Sequence, residues 1–232
     1  MDAIRIFSGG AAQGLVTRLK DGFTRKSGIS VDGTFGAVGM MKDKLLAGEP
    51  CDIMILSDAL INELTGSGDL VAGTAQALGA VKTGVAVKTG EKAVDVSNPD
   101  ALKAALRAAR GIYFPDPIKA TAGIHVMKVL TALGLDVELA DRLRPYANGA
   151  TAMKAMADSA ETGLIGCTQA TEILFTGGVE LVAPLPKEFE LATVYTAAVC
   201  TNAGQPQAAR DLIAMLASAE FSALRRDCGF EA

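Results

Sequence analysis

The chain has 232 residues, of which 50% are hydrophobic and 21% are charged, and its formal net charge is −4. This composition predicts a globular protein with an ample core, in one large or two small domains. A nucleic-acid partner is not expected, because phosphate binding needs a concentrated basic face and the lysines and arginines are dispersed. Membrane insertion is not expected either, since no apolar run is long enough to span a bilayer.

Strand-like and helix-like segments alternate along the whole chain. The strands are expected at 3–7, 29–35, 51–56, 77–88, 111–114, 162–167, 179–185 and 191–199, and the helices at 10–26, 38–47, 57–66, 121–133, 168–175 and 206–227. Alternation of this kind predicts an α/β fold with mostly parallel, mixed sheets and helices on both faces.

Two of the predicted strands, 77–88 and 191–199, are long and rich in Val, Thr and Ala. We interpret them as two crossings of a hinge between lobes, near 78–88 and 190–200. Lobe I is then discontinuous and comprises 1–80 plus 195–232. Lobe II comprises 81–194.

The four cysteines, Cys51, Cys167, Cys200 and Cys228, lack the spacing of a zinc site or a CxxC redox motif. We therefore expect free thiols, no metal and no cofactor. The start, "MDAIRIFSGG", leads directly into a strand without the charged and apolar regions of a signal peptide. As written, this predicts a cytoplasmic protein, or a periplasmic one if a signal peptide has been removed.

The stretch "PDPIKATAGIH" (115–125) predicts an anion site. It joins a strand to an apolar helix whose first turn is Thr121, Ala122 and Gly123, and Lys119 and the single histidine, His125, flank that turn. The first turn of a helix leaves backbone N–H groups unpaired at the positive end of the helix dipole, where an anion binds favourably.

Several segments together resemble the bacterial molybdate-binding proteins of ABC importers. The most characteristic are "AGEPCDIMILSD" and "ATAG", and the likeness extends from "IRIFSGGAAQGLVTRL" to "LIAMLASAEFSALRRDCGF". The resemblance implies the two-lobe type II periplasmic-binding-protein fold, or Venus flytrap, with the ligand between the lobes. It also implies an ABC importer as partner if the chain is a transport component.

The resemblance further implies that Ser and Tyr hydroxyls should hold the oxyanion, and here three of them are missing. The matching positions are Ala11, with Ser8 nearby, then Ala37 or Val38, and Gly166. Ala122 keeps a backbone contact. A pocket that has lost these donors leaves molybdate partly desolvated and unpaired, which favours a larger organic anion with several carboxylates.

The remaining polar groups and glycine-rich loops suit such an anion. We expect one carboxylate at Thr121, Ala122 and Gly123. The other candidate binding residues are Ser8, Gly9 and Gly10 for a second carboxylate, Asn148, Gly149, Ala150 and Thr151 for a third, and Ala37, Val38, Lys42, Lys119, Thr168 and Gln169.

The superfamily includes aconitate isomerase, and this resemblance implies an enzyme that moves a proton across an allylic system. His125 is the first candidate for the proton carrier, because its unperturbed pKa lies near neutrality, and Cys167 and Glu161 are the reserves. Each has a structural alternative: a core histidine, a small buried hydrophobe and a solvated loop carboxylate. The alternative function is a binding protein for molybdate or another anion, and a ligand sensor is a third.

Overall fold

The computed structural model describes residues 3–231, and they form two compact units. Unit 1 comprises the described residues up to Val81 together with those from Thr193 onward, and unit 2 comprises Lys82–Ala192. These boundaries lie one and two residues from the division inferred from the sequence. The hinge assigned to the two long strands stays a prediction.

The elements alternate between strand and helix. The strands are β1 (Ala3–Gly9), β2 (Ser30–Gly36), β3 (Ile53–Ser57), β4 (Gln76–Lys88), β5 (Gly111–Pro115), β6 (Leu143–Tyr146), β7 (Leu164–Gln169), β8 (Val179–Pro184) and β9 (Ala192–Val199). The helices are α1 (Gln13–Ser27), α2 (Val38–Leu46), α3 (Asp58–Gly66), α4 (Pro99–Ala108), α5 (Thr121–Ala132), α6 (Gly149–Asp158), α7 (Ala170–Phe175), α8 (Pro206–Ala217) and α9 (Ser222–Asp227). The α/β class that the sequence predicts is confirmed.

Unit 1 contains a sheet with the strand order β2-β1-β3-β9. The first three strands are parallel, and β9 runs antiparallel to β3. Isoleucines of β1 and β3 lie in its core, among them Ile4, Ile6 and Ile53, each at most 1% exposed. Because the three parallel strands end at one edge, α1, α2 and α3 all begin there.

Unit 2 contains a sheet in which β7 lies between β4 and β5. Strand β5 runs parallel to β6 and β7, while β4 runs antiparallel to β7 and β8. Alternate residues of β7 face two cores: Ile165 and Cys167 pack with α4 and α5, and Leu164 packs with α6 and α7. Helices α5, α6 and α7 begin at the edge where β5, β6 and β7 end.

Three parts of the fold differ from the sequence-based elements. Helix α4, strand β6 and helix α6 lie where no helix or strand was assigned. The expected helix 10–26 opens with a 3-10 turn over Gly10–Ala12. The expected helix 206–227 divides after Ala217, because Ser218 is extended and the Arg225 guanidinium binds the carbonyl oxygens of Leu216 and Ser218.

All four cysteines are buried, free thiols, as expected. Between residues 3 and 231, no helix is both long and apolar enough to cross a bilayer.

Candidate functional site

The predicted binding residues of unit 1 surround the starts of α1 and α2. Neither helix has a side-chain cap within residues 3–231, and their N-cap residues are Ala12 and Ala37. Ser8 is fully buried, and its hydroxyl donates to the Gly9 carbonyl oxygen at 2.8 Å. This unit therefore offers backbone N–H groups, rather than hydroxyls, around Gly10 and Val38.

The two candidate lysines already have partners. Lys42 forms an ion pair with Glu63, with 2.5 Å between Nζ and Oε1. Lys119 is exposed, and its backbone N–H donates to Oδ1 of Asp116 at 2.8 Å. The same Asp116 oxygen accepts the N–H of Ile118, so this carboxylate shapes the loop before α5.

The start of α5 lacks an internal cap. Its N-cap residue is Ala120, and no side chain among the described residues caps the helix. The N–H groups of Thr121, Ala122 and Gly123 have no acceptor within 3–231. A Cβ at position 123 would overlap the carbonyl oxygens of Pro115 and Asp116, so only glycine allows this turn to lie so close to the end of β5. The turn can therefore accept an anion.

His125 lies one turn further along α5 and is half-buried. Its Nε2 lies 2.7 Å from the carbonyl oxygen of Phe189. A carbonyl oxygen only accepts hydrogen bonds, so Nε2 carries the proton, and in the neutral ring Nδ1 has the lone pair. Helical side chains tilt toward the N-terminus, which directs this ring toward the uncapped turn.

Two buried polar side chains without partners lie at the same edge of the unit 2 sheet. Gln169, the last residue of β7, is 2% exposed, and Thr83, directly opposite on β4, is 1% exposed. Neither side chain has a hydrogen-bond partner in the described part of the chain. Alternation along β7 places Gln169 on the face of Cys167, which packs against α5. An unpaired buried amide is costly, so this pair is suited to a polar ligand.

The start of α6 differs from that of α5, because side chains of the same unit already lie against it. Asn148 Oδ1 accepts the Thr151 N–H at 2.8 Å, and the Asn148 carbonyl oxygen accepts the Ala152 N–H at 3.0 Å. The Glu172 carboxyl group lies against this turn, where the N–H groups of Gly149 and Ala150 favour its charged form.

Two further donors, on the last two residues of β7, face the Glu172 carboxyl group. The Thr168 hydroxyl donates to its Oε2 at 2.5 Å, and the Gln169 N–H also favours the charged form of the carboxyl group. Burial raises the pKa of this carboxyl group above its ordinary value, because a low dielectric disfavours charge, while the Thr168 hydroxyl and the nearby backbone N–H groups act in the opposite direction. Thr168 is therefore committed to Glu172.

The reserve proton carriers lie away from the α5 turn. Cys167 is in the apolar core beneath α4 and α5, and burial raises the pKa of its thiol to about 12, so it stays protonated. Glu161 is exposed and precedes β7, whereas α5 begins where β5 ends. Strand β7 spans about 20 Å at roughly 3.3 Å per residue. The structure therefore does not bring Cys167 or Glu161 into the site as proton carriers.

Gly166, the position matched to a ligand tyrosine, also faces the interior. A Cβ there would overlap the side chain of Met153 on α6, so this side of β7 is filled by core packing. Sequence reasoning missed Thr83 and Glu172. Glu172 had a local signal, since it lies one helical turn after Thr168, but Thr83 is recognisable only from the β4–β7 register.

The fold defines a class of protein. The chain superposes on the periplasmic molybdate-binding protein of Azotobacter vinelandii with a TM-score of 0.83, at 18% identity and with 99% of each chain covered. The sulfate-binding protein SubI of Mycobacterium tuberculosis H37Rv gives a TM-score of 0.77 at 15% identity, covering 99% of this chain and 86% of that one. The fold is that of the type II periplasmic binding proteins.

The family follows from the sequence. Residues 4–231 match the family described as bacterial extracellular solute-binding protein, and the chain belongs to it. The chain is also 24% identical over 236 aligned positions to an aconitate isomerase from a Pseudomonas species, covering 98% of this chain and 87% of that protein.

Proposed function

We propose that the chain binds a small organic acid with more than one carboxylate and shifts a proton within it, as an aconitate isomerase does. The observation that carries this proposal is the combination of an uncapped helix start at Thr121–Gly123 and a histidine one turn further along the same helix. The histidine adds a group that can take up and release a proton, which an uncapped helix start alone does not provide.

In this proposal, the α5 turn and Gln169 hold one carboxylate of the substrate. The N–H groups of Thr121, Ala122 and Gly123 lack other acceptors, and the Gln169 amide is buried without a partner. Donors held in place before the substrate arrives stabilise developing charge without reorganisation. They would therefore favour the dienolate in which negative charge spreads onto that carboxylate.

His125 performs the proton transfer in this proposal. Nδ1 takes a proton from the carbon next to a carboxylate, and the C–H electron pair enters the allylic system. The resulting imidazolium returns the proton to the other end of that system, so the double bond moves and no atom is gained or lost. The Phe189 carbonyl holds Nε2–H throughout and fixes the tautomer that the reaction needs.

The relationship to an aconitate isomerase supports this proposal, as does the lack of hydroxyls at the matched oxyanion positions, including Ala11 and Ala37. The extracellular description of the family favours a periplasmic location over the cytoplasmic one that the start of the sequence predicted.

The alternative is a solute-binding component that delivers an anion to an ABC importer, which the family favours directly. Calorimetry separates the ligand classes: we expect trans-aconitate to bind more tightly than molybdate, tungstate or sulfate. Submicromolar molybdate affinity with no response to aconitate would establish the alternative. Catalysis is tested by incubating the purified protein with trans-aconitate and following the appearance of cis-aconitate by NMR.

A further inference from the structure

The starts of α5 and α6 are equivalent in topology but differ in what occupies them. Both helices follow parallel neighbours, β5 and β6, and begin at the same edge of the unit 2 sheet. Both starts carry the partial positive charge of a helix dipole. At α5 the first N–H groups have no acceptor within 3–231. At α6, Asn148 accepts the N–H groups of Thr151 and Ala152, and the Glu172 carboxyl group lies against Gly149.

The carboxyl group at α6 has the environment of a bound ligand. It belongs to Glu172, accepts the Thr168 hydroxyl at 2.5 Å and lies near the N–H groups of Gly149, Ala150 and Gln169, which favour its charged form. Glu172 is 5% exposed. A Cβ at position 149 would overlap both Oε2 of Glu172 and the Thr168 hydroxyl, so glycine is needed for the carboxyl group to approach the helix start.

We propose that the Glu172 carboxyl group is a built-in occupant of the anion site at the start of α6, and that it leaves α5 as the one start of the two that can take a ligand carboxylate. Glu172 is thus a specificity-determining residue that reduces the number of ligand carboxylates that unit 2 can hold. This second part rests on the proposed function, whereas the first part concerns the chain alone.

The consequence for ligand choice is specific. The sequence predicts a carboxylate at Asn148–Thr151, but Asn148 and Glu172 already occupy this turn. A ligand group placed there would have to displace the Glu172 carboxyl group. Thr168, also a predicted ligand residue, is occupied by the same contact. Unit 2 therefore recognises one carboxylate through the α5 turn.

The test uses amide NMR signals of the full ¹⁵N-labelled chain, with sodium acetate as probe and sodium chloride at equal ionic strength as reference. Acetate matches the CH₂–COO⁻ group that Glu172→Ala removes. We expect acetate to shift the Gly149 and Ala150 signals in Glu172→Ala in a saturable way, at concentrations at least tenfold below any effect on the wild type. Glu180→Ala, which removes an exposed carboxylate on β8, is the matched control and should behave like the wild type.

Two results would overturn the proposal: acetate shifts of Gly149 and Ala150 in the wild type as large as in the variant, or none in a folded Glu172→Ala. If Glu172→Ala does not fold in chloride, recovery of its folded spectrum in acetate supports the proposal. A lack of recovery while Glu172→Gln folds contradicts it, and the wild-type titration decides if neither variant folds.

A titration with trans-aconitate tests the proposed function independently of the role of Glu172. In the wild type, we expect it to shift the signals of Thr121–Gly123 and to leave Gly149 and Ala150 in place. If trans-aconitate shifts neither turn, the proposed function fails, while the acetate comparison still decides the role of Glu172.

Discussion

Replacing Gln169 by leucine should make the protein more stable and a poorer binder. The amide is 2% exposed, and both of its polar atoms lack partners among residues 3–231. An unsatisfied buried polar group costs about 1–3 kcal/mol, so removing it in a side chain of similar size should raise the free energy of unfolding by about that amount. In a chain of this length, each kcal/mol corresponds to a rise in Tm of about 2–4 °C.

The same substitution should weaken ligand binding. A hydrogen bond to a charged group contributes about 1.5–3 kcal/mol, so the Kd for trans-aconitate should rise roughly 10- to 150-fold. Thermal unfolding without ligand and isothermal calorimetry with trans-aconitate measure the two effects. Gln207→Leu is the control, because Gln207 is exposed on α8 and bonds Asp211. It should change neither quantity appreciably.

A Gln169→Leu protein that is less stable than the wild type and binds trans-aconitate with unchanged affinity would contradict both predictions. It would mean that the amide supports the fold rather than the ligand. A gain in stability without a loss of affinity would show that Gln169 is an unpaired group outside the binding surface.

Further predictions concern proton transfer, the α5 turn and the buried thiol. His125→Gln should lower kcat for aconitate isomerisation by about 10²-fold and leave KM nearly unchanged, since the variant loses the proton acceptor but keeps the helix donors. An unchanged kcat would exclude His125 as the proton carrier. Gly123→Ala should raise KM at least tenfold, because its Cβ would displace the turn from the Pro115 carbonyl. Steady-state kinetics measures KM, with circular dichroism as the check of folding, and an unchanged KM would contradict this prediction. Cys167→Ala should keep its kcat within about twofold, because burial raises the pKa of this thiol from 9.0 to about 12. The folded state holds this proton more tightly than the unfolded state, so the thiol's contribution is complete below pH 9 and is lost as the pH rises toward 12. Denaturant unfolding at several alkaline pH values should therefore show a shallower loss of stability in Cys167→Ala than in the wild type, and equal slopes would contradict the assignment.

The α5 anion turn could be predicted from the sequence because its determinants are local. A strand, a proline-rich loop and apolar residues at helical spacing define where α5 begins, and the absence of a capping side chain at Ala120 can be read directly. Asn148–Thr151 was recognised as a possible anion site from the family resemblance, although the helix that begins there was not predicted. Its occupation by Glu172 depends on how α7 packs against α6, and no spacing rule gives that contact.

The position of Cys167 could not be predicted from the sequence for a different reason. All residues of β7 are buried, so its hydrophobicity does not alternate, and the sequence cannot show which face each side chain takes. Once β7 is placed between β4 and β5, the thiol faces the apolar core. The Thr83–Gln169 pair depends on the β4–β7 register, which joins residues that are distant in the chain.

Proton movement within a bound carboxylic acid can be followed through the incorporation of deuterium from the solvent. The wild-type protein is incubated with trans-aconitate in D₂O and followed by ¹H NMR. We expect cis-aconitate to appear, and deuterium to enter the aconitate carbon skeleton because the Nδ1 proton exchanges with solvent before some of the returns, with both rates falling about 10²-fold in His125→Gln. Tight binding of trans-aconitate without isomerisation or exchange would contradict the claim and would identify the chain as a binding protein.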